Sequence, residues 1–154
     1  MPTSWPEISA DLRVPLLRHV PQPVFSPLGD PAHADGVETI YEGYLAHYGM
    51  PRAFRPADAN EALLLGDYLY AAGLAVIAAL GVPALVEDLA ELLARCAELR
   101  GAGLGGDGPL WAASVALLGA HPLVGAADPL EAAREAAGGE AVDRALATHA
   151  DLVR

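Results

Sequence analysis

Nucleophilic catalysis needs a nucleophile, a base within reach and a third group that orients the base, and this chain offers few candidates for the first role. Cys96, the single cysteine, falls on an apolar helical seam where a thiol keeps its proton. Ser114 sits among small helix-forming residues, without the Gly-x-Ser-x-Gly turn that would present its hydroxyl. The five histidines, His19, His33, His47, His121 and His149, never fall three or four apart, so no metal-binding spacing emerges. Glu87, Asp88 and Glu91 could in principle hold a divalent ion, but together with Glu98 they read as the solvated outer face of a helix. The stretch RGAGLGGDGPL from Arg100 lacks the preceding strand and the Lys-Ser or Lys-Thr pair of a phosphate cradle. It is expected to be a connector, and no cofactor or metal is implied.

Asp67 is the one residue that its surroundings do not explain. It is the only charge in Ala62 to Leu80, ALLLGDYLYAAGLAVIAAL, and an ionised carboxylate in an apolar setting is costly unless paired or hydrogen-bonded. The expectation is a buried arginine partner, drawn from Arg52, Arg55 and Arg95. Such a pair would pin two helices, or would line a pocket or a subunit contact.

Helical elements must position these residues. Asp58-Ala59-Asn60-Glu61 has the form of a capping box opening the central helix, which Gly81-Val82-Pro83 stops. Apolar nearly all round, that helix is either the buried middle of a bundle or a membrane span. Asp67 and the lack of flanking basic residues favour the buried reading. Gly66 and Gly73, seven apart, share a face and let a neighbouring helix approach closely. After Pro83, the residues Leu85, Leu89, Leu92, Cys96 and Leu99 alternate at spacings of four and three, a seam suited to an antiparallel partner of the central helix. Before it, Asp35-Gly36-Val37-Glu38 opens a helix closing at Gly49, with Val37, Ile40, Tyr41, Tyr44, Leu45 and Tyr48 on one face. Tyr41, Tyr44 and Tyr48 form either a core stripe with hydroxyls at its rim or a platform for a hydrophobic ligand. LWAASVALLGA is expected to form a short buried helix, and two more helices, about residues 129–137 and 139–153, follow a box at Asp128-Pro129-Leu130-Glu131.

Seven of the thirteen prolines lie in the first thirty-one residues, which forbids a long helix there. Residues 1–34 are therefore expected to be a proline-rich arm with one short helix near Trp5 to Arg13, and 35–154 a helical bundle. Phe25 and Leu28 either anchor the arm on its own body or belong to a docking peptide for another protein.

Composition bounds the function. Of 154 residues 53 % are hydrophobic and 6 % aromatic, which suits close-packed helices built from Ala, Leu and Val rather than strands. The formal net charge is −11, with nine Arg and no Lys, so nucleic-acid binding is not expected. A lone cysteine and an N-terminus without a basic and then an apolar region fit a cytoplasmic protein.

The hairpin LLLGDYLYAAGLAVIAALGVPALVEDLAELLARCAEL resembles that of trans-polyprenyl diphosphate synthases, which carry a Gly-Asp pair inside a long apolar helix followed by an amphipathic one. Gly66-Asp67-Tyr68 is similar to the corresponding place in the non-catalytic small subunit of heterodimeric heptaprenyl diphosphate synthases. About forty residues are covered. The Asp-Asp-x-x-Asp motifs that hold magnesium diphosphate in catalytic members are absent, as is any lysine. The resemblance thus implies an accessory subunit that pairs through the faces around Gly66 and Gly73. The expectation is an all-α, single-domain bundle of five to seven helices acting as an interaction or regulatory subunit, with a protein partner or self-association. The alternatives are a module binding a lipid or quinone and a subunit of a membrane-associated complex.

Overall fold

The structure, a computed structural model, describes residues 1–125 and 127–154. It is all-α. Seven helices follow in order: α1 Trp5–Leu12, α2 Ala34–Tyr48, α3 Ala59–Ala78, α4 Pro83–Gly101, α5 Asp107–Ala116, α6 Pro129–Ala137 and α7 Gly139–Leu152. Two short 3-10 turns, Ser26–Leu28 and Pro31–His33, lead into α2. The described residues contain no strand, only isolated bridges between Leu16 and Phe54 and between Gly49 and Val153.

Most helix starts follow from local chemistry. Asp58 caps α3 by accepting from the Glu61 N–H at 2.9 Å, and the Glu61 carboxylate accepts from the Ala57 N–H, so both orphan donors are satisfied. Asp128 caps α6 by accepting from Leu130 N–H at 3.0 Å. The box expected at Asp35 does not cap. Asp30 instead caps the preceding 3-10 turn, and α2 begins at Ala34, leaving Asp35 inside its first turn. α5 begins at Asp107, three residues before the sequence pattern places it.

The closest packing in the fold joins α2 to α3. Gly36 and Gly43 on α2 face Gly73 and Gly66 on α3 in antiparallel register. A Cβ added at Gly73 would lie 2.9 Å from the Gly36 carbonyl oxygen and 2.4 Å from Ile40 Cγ1, and one at Gly43 would lie 2.9 Å from the Gly66 carbonyl oxygen. Glycine is required at these positions because backbone meets backbone. The face around Gly66 and Gly73 is therefore filled from within the chain.

α2, not α3, is the enclosed helix. Ten of its fifteen residues are buried, and its second face meets α5 through Trp111, whose ring lies 5.1 Å from Tyr41 and 5.4 Å from Tyr44. The expected antiparallel pairing of α3 with α4 is secondary. α4 turns Leu85, Leu89, Leu92 and Cys96 into the larger core shared with α2 and α5. The arm packs on its own body: Phe25 is fully buried between Tyr41 and Trp111, and Leu28 is buried beside it. A smaller core gathers Ile8, Val14, Phe54, Leu65 and Leu69 from α1, the arm, the α2–α3 connection and α3.

Gly73→Ala is expected to cost about 1–3 kcal/mol, because neither Ile40 nor the Gly36 carbonyl can move aside freely, and to lower the melting temperature by several degrees. Gly101→Ala, with nothing within 4 Å of the added carbon, serves as the control and should be neutral or stabilising by up to about 1 kcal/mol. Paired thermal melts check both.

Candidate functional site

The tyrosine face of α2 is core, with its polar ends turned inward rather than to the rim. Tyr41 and Tyr44 are fully buried, and Tyr48 half-buried. Tyr41 Oη lies 2.7 Å from His149 Nδ1 of α7, and Tyr44 Oη donates to Asp107 Oδ2 of α5 at 2.5 Å. Arg100 at the end of α4 donates from Nη2 to the same carboxylate oxygen at 2.7 Å and from Nη1 to the Arg154 carbonyl at 2.6 Å. His149 Nε2 stands 3.2 Å from Asp107 Oδ2 but off the line of a hydrogen bond. Four helices thus meet on one carboxylate. Burial pushes the Asp107 carboxyl up, but His149, Tyr44 and Arg100 together outweigh burial and hold it well below the usual carboxylate range. Burial likewise pushes the Tyr41 and Tyr44 hydroxyls well above the ordinary tyrosine value.

On the other side of Tyr41, Arg52 donates to Glu42 at 3.1 Å, to Glu38 at 2.9 Å and to the Gln22 carbonyl at 2.8 Å, with its guanidinium 5.0 Å from the Tyr41 ring centre. Burial raises the Glu42 carboxyl, and Arg52 with the Ala53 N–H opposes that rise. Neither network opens a route for a substrate to a free nucleophile. Ser114 and Cys96 are fully buried, and burial pushes the Cys96 thiol up to about 12. The space between α3 and the tyrosines that a hydrophobic ligand would need is occupied by packed side chains.

Asp67 corrects the sequence expectation. Its side chain is 69 % exposed and has no arginine partner; His47 Nε2 is its neighbour at 3.2 Å. Arg52 serves Glu38 and Glu42, and Arg95 pairs with Glu91. The sequence placed the unexplained charge on α3 because that helix looks buried; the enclosed carboxylates are Glu42, Asp88 and Asp107. Asp88, expected on a solvated face, accepts from the Gly119 N–H at 2.7 Å and lies 2.8 Å from His121 Nδ1, tying the turn after α5 to α4. Among the described residues no group of three or more His, Cys, Asp or Glu is arranged to hold a metal.

Asp67 apart, what the middle of α3 leaves outward is apolar. Only a third of its most apolar stretch is buried, since Leu65, Gly66, Leu69, Ala72, Gly73 and Ile77 all lie on the side towards α2 and the smaller core. Leu63 is 53 % exposed and Leu64 65 %, and Leu80 and Val82 at the far end are 43 % and 48 % exposed. Ala71, Ala75 and Ala78 connect them, and a shallow cavity of about 490 Å³ opens at the α3–α4 turn, lined by Ala78, Val82, Val86 and Ala90. By length and composition α3 is the one helix among the described residues that could cross a membrane. Leu63, Leu64, Ala71, Ala75 and Ala78 fall within one arc of the helix, which the exposed Asp67 shares, a pattern that period-3.6 reading of the exposed positions reveals only once the glycine face is known to point inward.

Asp107→Asn is expected to cost about 3 kcal/mol at pH 7 by leaving Arg100 without its carboxylate. A carboxyl depressed in the fold contributes stability that is present above the unfolded value of about 4 and lost as pH falls through the folded value. The gap between wild type and variant in urea unfolding should accordingly narrow as pH drops below about 4. Cys96 should resist aromatic disulfide reagents at pH 8 in the folded protein and react at once in denaturant.

Comparison of the chain with family models, with curated proteins and with solved structures returns no match.

Proposed function

We propose that this protein is a non-catalytic helical interaction subunit, whose outward α3 face and the adjoining α3–α4 turn receive an apolar helix of a partner protein. The observation that carries this reading is the exposed apolar run, interrupted only by Asp67, from Leu63 and Leu64 along α3 to Leu80 and Val82 in the turn after it, on a helix whose other side is locked to α2 by glycine. Contiguous apolar surface of this kind marks a site of association. The strip is about 30 Å long, the span of a 20-residue helix. The small side chains at its middle allow close approach, and the leucines at its ends supply anchors. The net charge of −11 favours a partner with basic residues flanking its apolar strip over a second copy of the same acidic chain.

The hairpin's likeness to the small subunit of heptaprenyl diphosphate synthases names a class of partner, the catalytic half of an isoprenoid diphosphate synthase. On this reading the pairing surface is the side of α3 opposite Gly66 and Gly73, since those glycines already hold α2.

Affinity purification from the native source, with wild type and with Leu64→Glu combined with Ala75→Glu, tests the reading. Both positions are exposed, so the variant should unfold within about 0.5 kcal/mol of wild type while losing a partner that the wild type retains in stoichiometric amount. Recovery of the wild type as a monomer without a partner, or equal retention by the variant, would overturn it.

A further inference from the structure

A cleft outside the core lies where the arm crosses the start of α2. It encloses about 540 Å³, within the range of small-molecule sites. Trp5 forms one wall, Val20 and Pro21 of the arm a second, and Val76 of α3 part of the floor. The remaining floor comes from α2 and is acidic: Asp35 and Glu38 flank Thr39. No cation lines the cleft. We propose that it binds a small organic monocation, an ammonium group carried on an apolar body of hexyl size.

The charges around the cleft decide the sign of the ligand. Arg52, beside the Glu38 that lines the cleft, is spent on two carboxylates, Glu38 at 2.9 Å and Glu42 at 3.1 Å, so that trio carries one negative charge. Glu38 also accepts from the N–H groups of Val24 and Ser26 at 3.1 Å. Its carboxylate is thereby fixed and largely satisfied. Asp35 is exposed, and among the described residues no cation lies within salt-bridge distance of it. The N-terminus of α1 would by itself favour an anion here, but Pro6 lacks an N–H and the first turn already carries Glu7, to which Ser4 Oγ donates. Asp35 therefore stands as an unpaired negative charge in the cleft, beside apolar walls. Trp5 adds the aromatic surface that attracts an ammonium group, while its indole N–H is committed to Thr39 Oγ1 at 3.0 Å and orients the ring. A ligand with a cationic head at Asp35 and an apolar body along Pro21, Val20 and Val76 satisfies each part.

Titration with hexyltrimethylammonium, hexanol and hexanoate, followed by calorimetry and tryptophan emission, tests the assignment. The three probes share a body and differ in charge. The cation should bind saturably and perturb emission, hexanol should bind several-fold more weakly, and hexanoate should not bind. Asp35→Asn should weaken the cation about threefold to fivefold, the worth of one partly exposed charge contact, and leave hexanol unchanged. Trp5→Phe should abolish the emission change, since Trp111 is fully buried away from the cleft. Equal affinity for the cation and hexanol, an unaltered affinity in Asp35→Asn, or no saturation by about 10 mM cation would each overturn the proposal.

Discussion

The backbone contact between α2 and α3 sets the terms for everything around it. Four glycines in antiparallel register bring Gly36 against Gly73 and Gly43 against Gly66, so the two backbones approach closely, with Ile40, His47 and Ile77 laid over the glycines. With that face of α2 closed, its opposite face must carry the bulk that fills the protein. Tyr41, Tyr44 and Leu45 do so against Trp111, Phe25 and Cys96. A helix closed on both sides leaves its polar residues without water, and three of the buried ones find partners outside the helix: Glu42 in Arg52, Tyr41 in His149, Tyr44 in Asp107. Removing any one partner would strand a buried polar group, which costs more than the contact itself contributes.

Sequence periodicity made the helices, most of their limits and the α4 seam legible, because capping residues, prolines and apolar spacing act locally. Asp58, Asp128 and Pro83 stand where helices start, and Leu85, Leu89, Leu92 and Cys96 are buried as their spacing predicts. It misjudged which helix is enclosed. α3 has almost no charge and therefore looks buried, yet apolar residues at a surface are common, and hydrophobicity constrains burial in one direction only. α2 displays Glu38, Thr39 and Glu42, and therefore looks half-solvated, although Thr39 and Glu42 are buried. The compensating groups, Arg52, Trp5 and the N–H groups of Val24, Ser26 and Ala53, lie ten to thirty-four residues away or are single residues in irregular segments, where no period exposes them. The signal that was available is the pair Gly36 and Gly43, spaced like Gly66 and Gly73; matching the two heptad spacings would have paired α2 with α3.

The same pairing explains why apolar surface is left over. Because the glycine edge of α3 can face only α2, the helix cannot rotate to bury Leu63 and Leu64 without separating the two backbones. The exposed strip is thus a fixed property of the fold and not a loosely packed side that could be drawn in. The acidic cleft beneath the arm is equally fixed, by Glu38 accepting from the arm's own N–H groups.

Arg52 holds more than a pair of charges. Through Gln22, Glu38 and Glu42 it fastens the arm and the α2–α3 connection to a single guanidinium, while the arm's inner strand-like contacts, Leu17 to Ala53 and Arg55 to Pro15, hang from the same short segment. Opening of the molecule is therefore expected to be hierarchical: amides of the arm exchange with solvent as one cooperative group when that knot loosens, and those of α2 exchange only when the whole chain unfolds.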